Sequence, residues 1–339
     1  MSSLLPHLDI PAIWAFVIAF AVFAYVVMDG FDLGVALLFP FCSERHDRDV
    51  MMNSVAPVWD GNETWLVLGG GGLFAAFPLA YGIVMPALYA PLIAMLLGLV
   101  LRGVAFEFRW RTERWKPVWD TAFTGGSLVA ALAQGIALGA LLQGVRIEGR
   151  AYAGGWWDWL TPFSLLTGAA VVIGYGLLGA TWLVMKTSGE LQVRALRLAR
   201  PLAILTLAAI VAVSLATPFL EGKYWQRWFE YPGIFFAAPV PLAVAGTAFL
   251  LLRTLADGHD YKPFLLSLAL FLLCFVGLGI SIWPDIIPGR VTIHQAAAPE
   301  SSQVFALVGV LILVPIILVY TAYAYWVFRG KIDPEVGYH

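Results

Sequence analysis

The sequence predicts an all-α integral membrane protein with nine transmembrane helices, on three observations. Hydrophobic residues fill 60% of the 339 positions and charged residues only 12%, about half the charged share of an ordinary soluble domain. The apolar residues gather into nine stretches near the length of about 20 residues that crosses a hydrocarbon core of roughly 30 Å. The basic residues fall in alternate connections, the asymmetry that sets orientation in a bilayer.

The stretches run over residues 13–39, 52–77, 81–101, 120–142, 163–184, 201–217, 234–252, 264–283 and 304–328. The first has no basic leader and exceeds the core of a signal peptide, so it is expected to be a retained helix. The second is the least hydrophobic, and the fourth is softened by Gly, Ser and Gln. With the N-terminus outside, the inner segments 40–51, 102–119, 185–200, 253–263 and 329–339 hold 15 of the 20 Lys and Arg residues. The outer segments hold Arg146, Arg150, Lys223, Arg227 and Arg290. This bias predicts an outside N-terminus and a cytoplasmic C-terminus. Outer stretches "GGWWDWLTPF" from 154 and "KYWQRWFEY" from 223 read as an interfacial aromatic belt, or alternatively as a partner's docking surface. The helix order predicts one polytopic domain: a first four-helix bundle over 1–142, a second over 143–283, and an outer loop, ninth helix and tail over 284–339.

Several chemistries find no support. A net charge of −2 gives no electrostatic footprint for nucleic acid. Cys42 and Cys274 have no Cys or His neighbour at a metal-site spacing, so neither a disulfide framework nor a metal site is expected. A membrane haem needs an axial ligand within a helix, whereas His7, His46, His259, His294 and His339 all fall in loops or at the termini. The chain alone is expected to bind no haem. The run "LGGGGL" at 68–73 lacks the strand and lysine of a phosphate loop; its glycines are expected to let a neighbouring helix approach closely.

The acidic residues inside the stretches are the informative ones. Asp29 and Asp32 in the first, and Asp60 and Glu63 in the second, are each three residues apart, which places each pair on one helix face about 4.5 Å apart along the axis. Asn53, Asp60 and Thr64 are expected on one stripe of a continuous second helix. A carboxylate at the bilayer centre costs about 2.5–3.5 kcal/mol on insertion scales, so four of them are not expected to face lipid. Three readings are open: ion pairs that hold the bundle together, a route for protons, or a cation or substrate site as in a secondary transporter. The sequon Asn62-Glu63-Thr64 lies within a membrane helix and is accidental. On the inner side, "LRGVAFEFRWRTERWK" from 101 follows the positive-inside pattern. Its functional reading is a proton inlet, with Glu107 collecting protons beside Arg109 and Arg102 pairing with a buried Asp.

Four motifs, "MDGFDLG" at 28–34, "SVAPVWDGNETWL" at 54–66, "LRGVAFEFR" at 101–109 and "VPIILVYTAYAYWVFRGK" at 314–331, occur in an order that closely resembles subunit II of the cytochrome bd-type quinol oxidases. The resemblance covers the whole length. It implies a subunit of an enzyme that oxidises membrane quinol and reduces O2 to water without a pumping step. It also implies a tight heterodimer with a subunit I that carries the haems, b and d or b alone, and the quinol-oxidising loop. Subunit II of that family is haem-free and stabilises its partner. By the same resemblance Asp60 belongs to a proton path toward subunit I, Glu107 to its inner end, and Asp29 and Asp32 to the acidic pair beside it. The resemblance assigns Glu63 no role, and its spacing leaves it open as a second relay or an ion-pair partner. Some members bind a structural quinone in subunit II, and a small single-helix subunit is a further partner the resemblance admits, beside membrane lipid. Many relatives have Trp where His294 stands, and the wording "RGVAFEFR" looks like the cyanide-insensitive branch.

Overall fold

A computed structural model describes residues 8–332 of the chain; His7 and His339 lie outside them. In order, the long helices are α1 (Ile10–Leu37), the short α2 (Arg45–Asn53), α3 (Trp59–Ala76), the short α4 (Pro78–Ala87), α5 (Tyr89–Arg109) and α6 (Lys116–Leu142). They continue with α7 (Pro162–Lys186), α8 (Gly189–Ala216), the short α9 (Gly222–Phe229) and α10 (Gly233–Ala237), α11 (Pro239–Ala256) and α12 (Lys262–Ile282). The single turn α13 (Ile293–Ala296) precedes α14 (Glu300–Val327). Two small hairpins, β1–β2 (Ile147–Glu148 with Ala151–Tyr152) and β3–β4 (Asp285–Ile287 with Val291–Thr292), cap one end.

Eight helical spans among the described residues are long and apolar enough to cross a membrane: α1, α5, α6, α7, α8, α10 with α11, α12 and α14. The chain is a multi-pass membrane protein. The remaining long helix, α3, is excluded from that set by composition, because Asp60, Asn62 and Glu63 sit in its first two turns.

Three sequence boundaries shift, each for a local reason. The expected continuous helix over 52–77 is broken: α2 ends at Asn53, residues 54–58 form turns, and α3 starts at Trp59. Pro57 in that break cannot donate a backbone hydrogen bond. Asn53 is therefore on a different helix from Asp60 and Thr64. The expected span over 81–101 instead begins at Tyr89 and runs to Arg109, with Pro78–Ala87 forming a separate short helix. Hydropathy stops at the charged residues, but Arg102 and Arg109 are buried by ion pairing and keep the helix going. Helix α8 likewise starts at Gly189, well before the apolar part of its sequence.

The bundle is held by close backbone approaches. Gly34 of α1 faces the carbonyl of Tyr175 and the amide of Gly179 on α7, and Gly179 in turn faces the Gly34 backbone. Gly98 of α5 and Gly126 of α6 make a second such contact. Without a water-driven hydrophobic effect between spans, small residues that allow this approach supply the dispersion contacts. On α3, Gly69 and Gly72 of the glycine run lie against Val22, Ile18 and Trp14 of α1, while Gly70 and Gly71 face open space. A Cβ at residue 34 has nowhere to go except into a carbonyl, so Gly34→Ala is expected to separate α1 from α7 and destabilise the protein by at least about 1–3 kcal/mol. Thermal unfolding of the purified protein measures it, with Gly70→Ala as the tolerated comparison.

The two ends of the bundle are distinct. At one end, Ile10, Trp14, Phe77, Val145, Ile287 and Ile293 form a common cluster; Trp14 Nε1 donates to the Gln303 carbonyl at 3.1 Å. His294 lies 3.1 Å from Asp9, the residue that caps α1. At the other end, Ile332 N donates to the Lys186 carbonyl at 2.8 Å and Lys331 pairs with Asp260 at 2.9 Å. That hydrogen bond from Lys331 holds the Asp260 carboxyl below the usual range. Between the ends, Phe31 stacks on Trp182 at 4.1 Å, and the Trp182 indole donates to Ser54 Oγ at 3.2 Å, tying the α2–α3 break to α7.

Candidate functional site

Four helices bring their polar residues to one place. Helices α1 and α3 pack side by side, which sets Asp32 against Asn62 and brings Asp29 and Glu63 to the same arginine. From α1, Asp29 and Asp32 are fully buried; from α3, Asn62 is buried and Glu63 half-buried; from α5, Arg102 is fully buried. Arg102 Nη1 lies 2.5 Å from Asp29 Oδ1, and Arg102 Nη2 lies 2.9 Å from Glu63 Oε1. The second approach is an ion pair by distance, without hydrogen-bond geometry. Trp59 closes one side, with the guanidinium carbon 5.7 Å from its ring centroid; Trp59 in turn stacks on Phe106 at 4.7 Å.

Asp32 has a different partner. Asn62 Nδ2 donates to Asp32 Oδ2 at 2.7 Å and to the Met28 carbonyl at 3.3 Å, while Tyr325 of α14 donates its hydroxyl to Asn62 Oδ1 at 2.9 Å. The cluster therefore contains three carboxylates and one guanidinium. An excess of negative charge in low dielectric is costly, so the arrangement can hold a proton among the three acids. Asp29 Oδ2, Asp32 Oδ1, Tyr25 Oη, Trp65 Nε1 and Arg102 Nε have no protein hydrogen-bond partner. Buried polar atoms of this kind are ordinarily bridged by water, and water between acids is a proton conductor.

Asp60 and Glu107 are elsewhere. Asp60 is exposed in the first turn of α3 and makes no ion pair with any described residue. Glu63, one turn further along the same helix, lies between it and the buried acids. Along α3 the acids thus grade from exposed Asp60 to half-buried Glu63, and Glu63 shares Arg102 with buried Asp29. Glu107 sits on the surface, its side chain 70% exposed, with Arg111 at 3.9 Å.

Arg109 does not stand beside Glu107. Two residues apart on a helix, they point to opposite sides, and Arg109 is fully buried between Asp120 Oδ1 at 2.5 Å and Asp49 Oδ1 at 2.6 Å. Arg48 adds a contact to Asp120 Oδ2 at 2.9 Å. This second cluster pins α2 to α5 and α6. Its acids, Asp49 and Asp120, went unnoticed in sequence because Asp49 lies in a charged connection and Asp120 at a span boundary. Asn62 was hidden by its accidental sequon, and Tyr325 by an aromatic run.

The described histidines offer no axial haem ligand. Of the three described histidines, His46 and His294 are exposed and His259 lies in the α11–α12 turn; none enters the bundle core to serve as an axial ligand. No group of three His, Cys, Asp or Glu among the described residues is arranged to hold a metal ion.

Comparison with known proteins identifies the family. Residues 10–328 match the family described as "Cytochrome bd terminal oxidase subunit II". The chain is 32% identical over 366 residues to the "Cytochrome bd-I ubiquinol oxidase subunit 2" of Escherichia coli (strain K12), covering 95% of each. It is 27% identical over 340 residues to the "Cytochrome bd ubiquinol oxidase subunit 2" of Bacillus subtilis (strain 168), covering 95% of this chain and 96% of that one. The fold superposes on a chain from the structure of bd oxidase from Geobacillus thermodenitrificans with a TM-score of 0.75 at 17% identity, covering 95% of this chain and 100% of that one. The acidic first turn of α3, the buried acid pair of α1 and the arginine of α5 thus belong to a bd-type oxidase subunit of the inner membrane: the chain is a member of the cytochrome bd terminal oxidase subunit II family.

Proposed function

We propose that this chain is the haem-free partner of a haem-bearing subunit I in a membrane quinol:O2 oxidoreductase, and that its acids supply protons for O2 reduction. The observation that carries the reading is Asp60. It is exposed on α3 between the part-buried Trp59 and Gly61, and a carboxylate on a membrane-spanning helix is costly to expose to lipid. The stripe of α3 that carries Asp60 continues through Val67 and Phe74, seven and fourteen residues on, both exposed. An apolar face with one embedded acid suits a protein partner better than a bilayer, so this face is assigned to subunit I.

The working topology is nine crossings, α3 included, with the N-terminus outside and the C-terminus cytoplasmic. The four helices α1, α3, α5 and α6 form a first bundle, α7, α8, α11 and α12 a second, and α14 is the additional helix. Glu107, solvated at the end rich in basic residues, lies on the side from which protons are drawn. Asp60, Glu63 and the pair Asp29–Asp32 exchange protons between that side and the partner. Quinol is oxidised on subunit I.

The ion pairs of Arg102 favour a second, purely structural reading of the same acids. Both readings share one requirement, the partner. Purifying the chain by a tag is expected to give visible haem absorption only when a second large subunit co-purifies. Haem absorption from the chain alone would contradict the haem-free assignment, and ion uptake by haem-free vesicles containing the chain alone would favour a transporter instead.

A further inference from the structure

A groove of about 490 Å³ lies away from the acidic cluster, between the facing ends of α11 and α12. Its walls combine two kinds of side chain. Leu250 of α11 and Leu265 of α12, both about half exposed, continue the apolar surfaces of their helices. Arg253, Thr254, Asp257, His259 and Lys262 line the polar part, two cations against one acid. Helix α11 packs against α12 and α8 along one side, and most of its remaining residues are exposed. Its outward face is therefore available to lipid.

The charges converge on the groove. Arg253 is only loosely engaged by Asp257, at 3.9 Å. Lys262 Nζ lies 3.3 Å from His259 Nε2 and makes no ion pair with any acid among the described residues. The neighbouring acid Asp260 is already committed to Lys331 at 2.9 Å and Gln192 at 2.8 Å. Lys262 also opens α12, a 21-residue helix with no side-chain cap, so the positive end of the helix dipole adds to the two cations. Below them the walls are leucine. A cationic rim above an apolar trough, at the level where the spans give way to a polar turn, matches one chemistry: a phosphate that carries acyl chains. Basic pockets between helices at this level are sites for anionic lipid headgroups, and the volume falls within the roughly 300–1,000 Å³ of small-molecule sites.

We propose that this groove binds an anionic phospholipid, its phosphate between Arg253 and Lys262 and its chains along Leu250 and Leu265. The site is independent of the proton path and of the face assigned to subunit I.

The test uses the assembled complex in detergent, titrated with phosphatidylglycerol, phosphatidylcholine or inorganic phosphate, with bound species counted by native mass spectrometry. Wild type is expected to retain phosphatidylglycerol in preference to the other two. Removing both cations, R253Q with K262Q, is expected to weaken that binding about 30-fold, the ratio implied by two lost basic residues at a membrane surface. The charge-keeping exchange R253K with K262R is expected to bind as wild type, which separates lost charge from altered structure. A matched loss of charge outside the groove, R197Q with R329Q, is expected to leave binding unchanged. Equal weakening by that pair, failure of the charge-keeping exchange, undiminished binding by the double Gln variant, or inorganic phosphate binding as tightly as the lipid would each overturn the proposal.

Discussion

Arg102→Leu is expected to abolish accumulation of the complex. Arg102 is fully buried and is the cation to which both Asp29 and Glu63 are paired, at 2.5 Å and 2.9 Å. Removing one member of a buried ion pair costs about 3–5 kcal/mol, because the other charge remains buried without compensation. Against a net stability of about 5–15 kcal/mol for a folded protein, that loss is a large fraction. The same principle predicts a rescue. Replacing both members, Arg102→Leu with Asp29→Leu, removes the buried charge, and Glu63 with 27% of its side chain exposed can hydrate. The double variant is therefore expected to accumulate better than the single one. Yield of assembled complex, measured in membranes by detecting both subunits, checks the pair; normal yield of Arg102→Leu would show that the cluster is not a structural keystone.

Asp60→Asn is expected to do the reverse, leaving assembly intact and lowering O2 reduction at least about tenfold, a change equivalent to 1.4 kcal/mol in the activation barrier. Asparagine has the size of aspartate but replaces one acceptor oxygen with an NH2 donor and carries no dissociable proton. Asp60 is exposed on this chain and has no ion pair with the described residues, so its substitution removes no internal contact. Its effect should therefore appear in turnover rather than in stability. The opposite behaviour of residues 60 and 102 separates the proton-path reading of the acids from the structural one.

Much of this was legible in the sequence, for identifiable reasons. Periodicity placed Asp29 with Asp32 and Asp60 with Glu63, and the cost of buried charge said that the two pairs should face protein. The α1–α3 contact brings Asp29, Asp32 and Glu63 into one neighbourhood, while Asp60 stays outside it, exposed. What failed was continuity. Hydropathy cannot see that Pro57 ends one helix and starts another, so Asn53 was joined to a stripe it does not belong to. Nor can it see that a charged residue stays inside when a distant acid meets it. Arg109 reads as a surface cation until Asp49 and Asp120, 60 and 11 residues away, close around it. Asn62 and Tyr325, 263 residues apart, join the site through tertiary packing that no local pattern encodes.

The proposal that the acids of α3 deliver protons is tested most directly in the purified Asp60→Asn complex, by comparing the rate at which quinol reduces the haems in the absence of O2 with the rate of O2 consumption at saturating quinol. Normal haem reduction together with at least about tenfold slower O2 consumption is the predicted result. Near-normal O2 consumption by a fully assembled Asp60→Asn complex would contradict it.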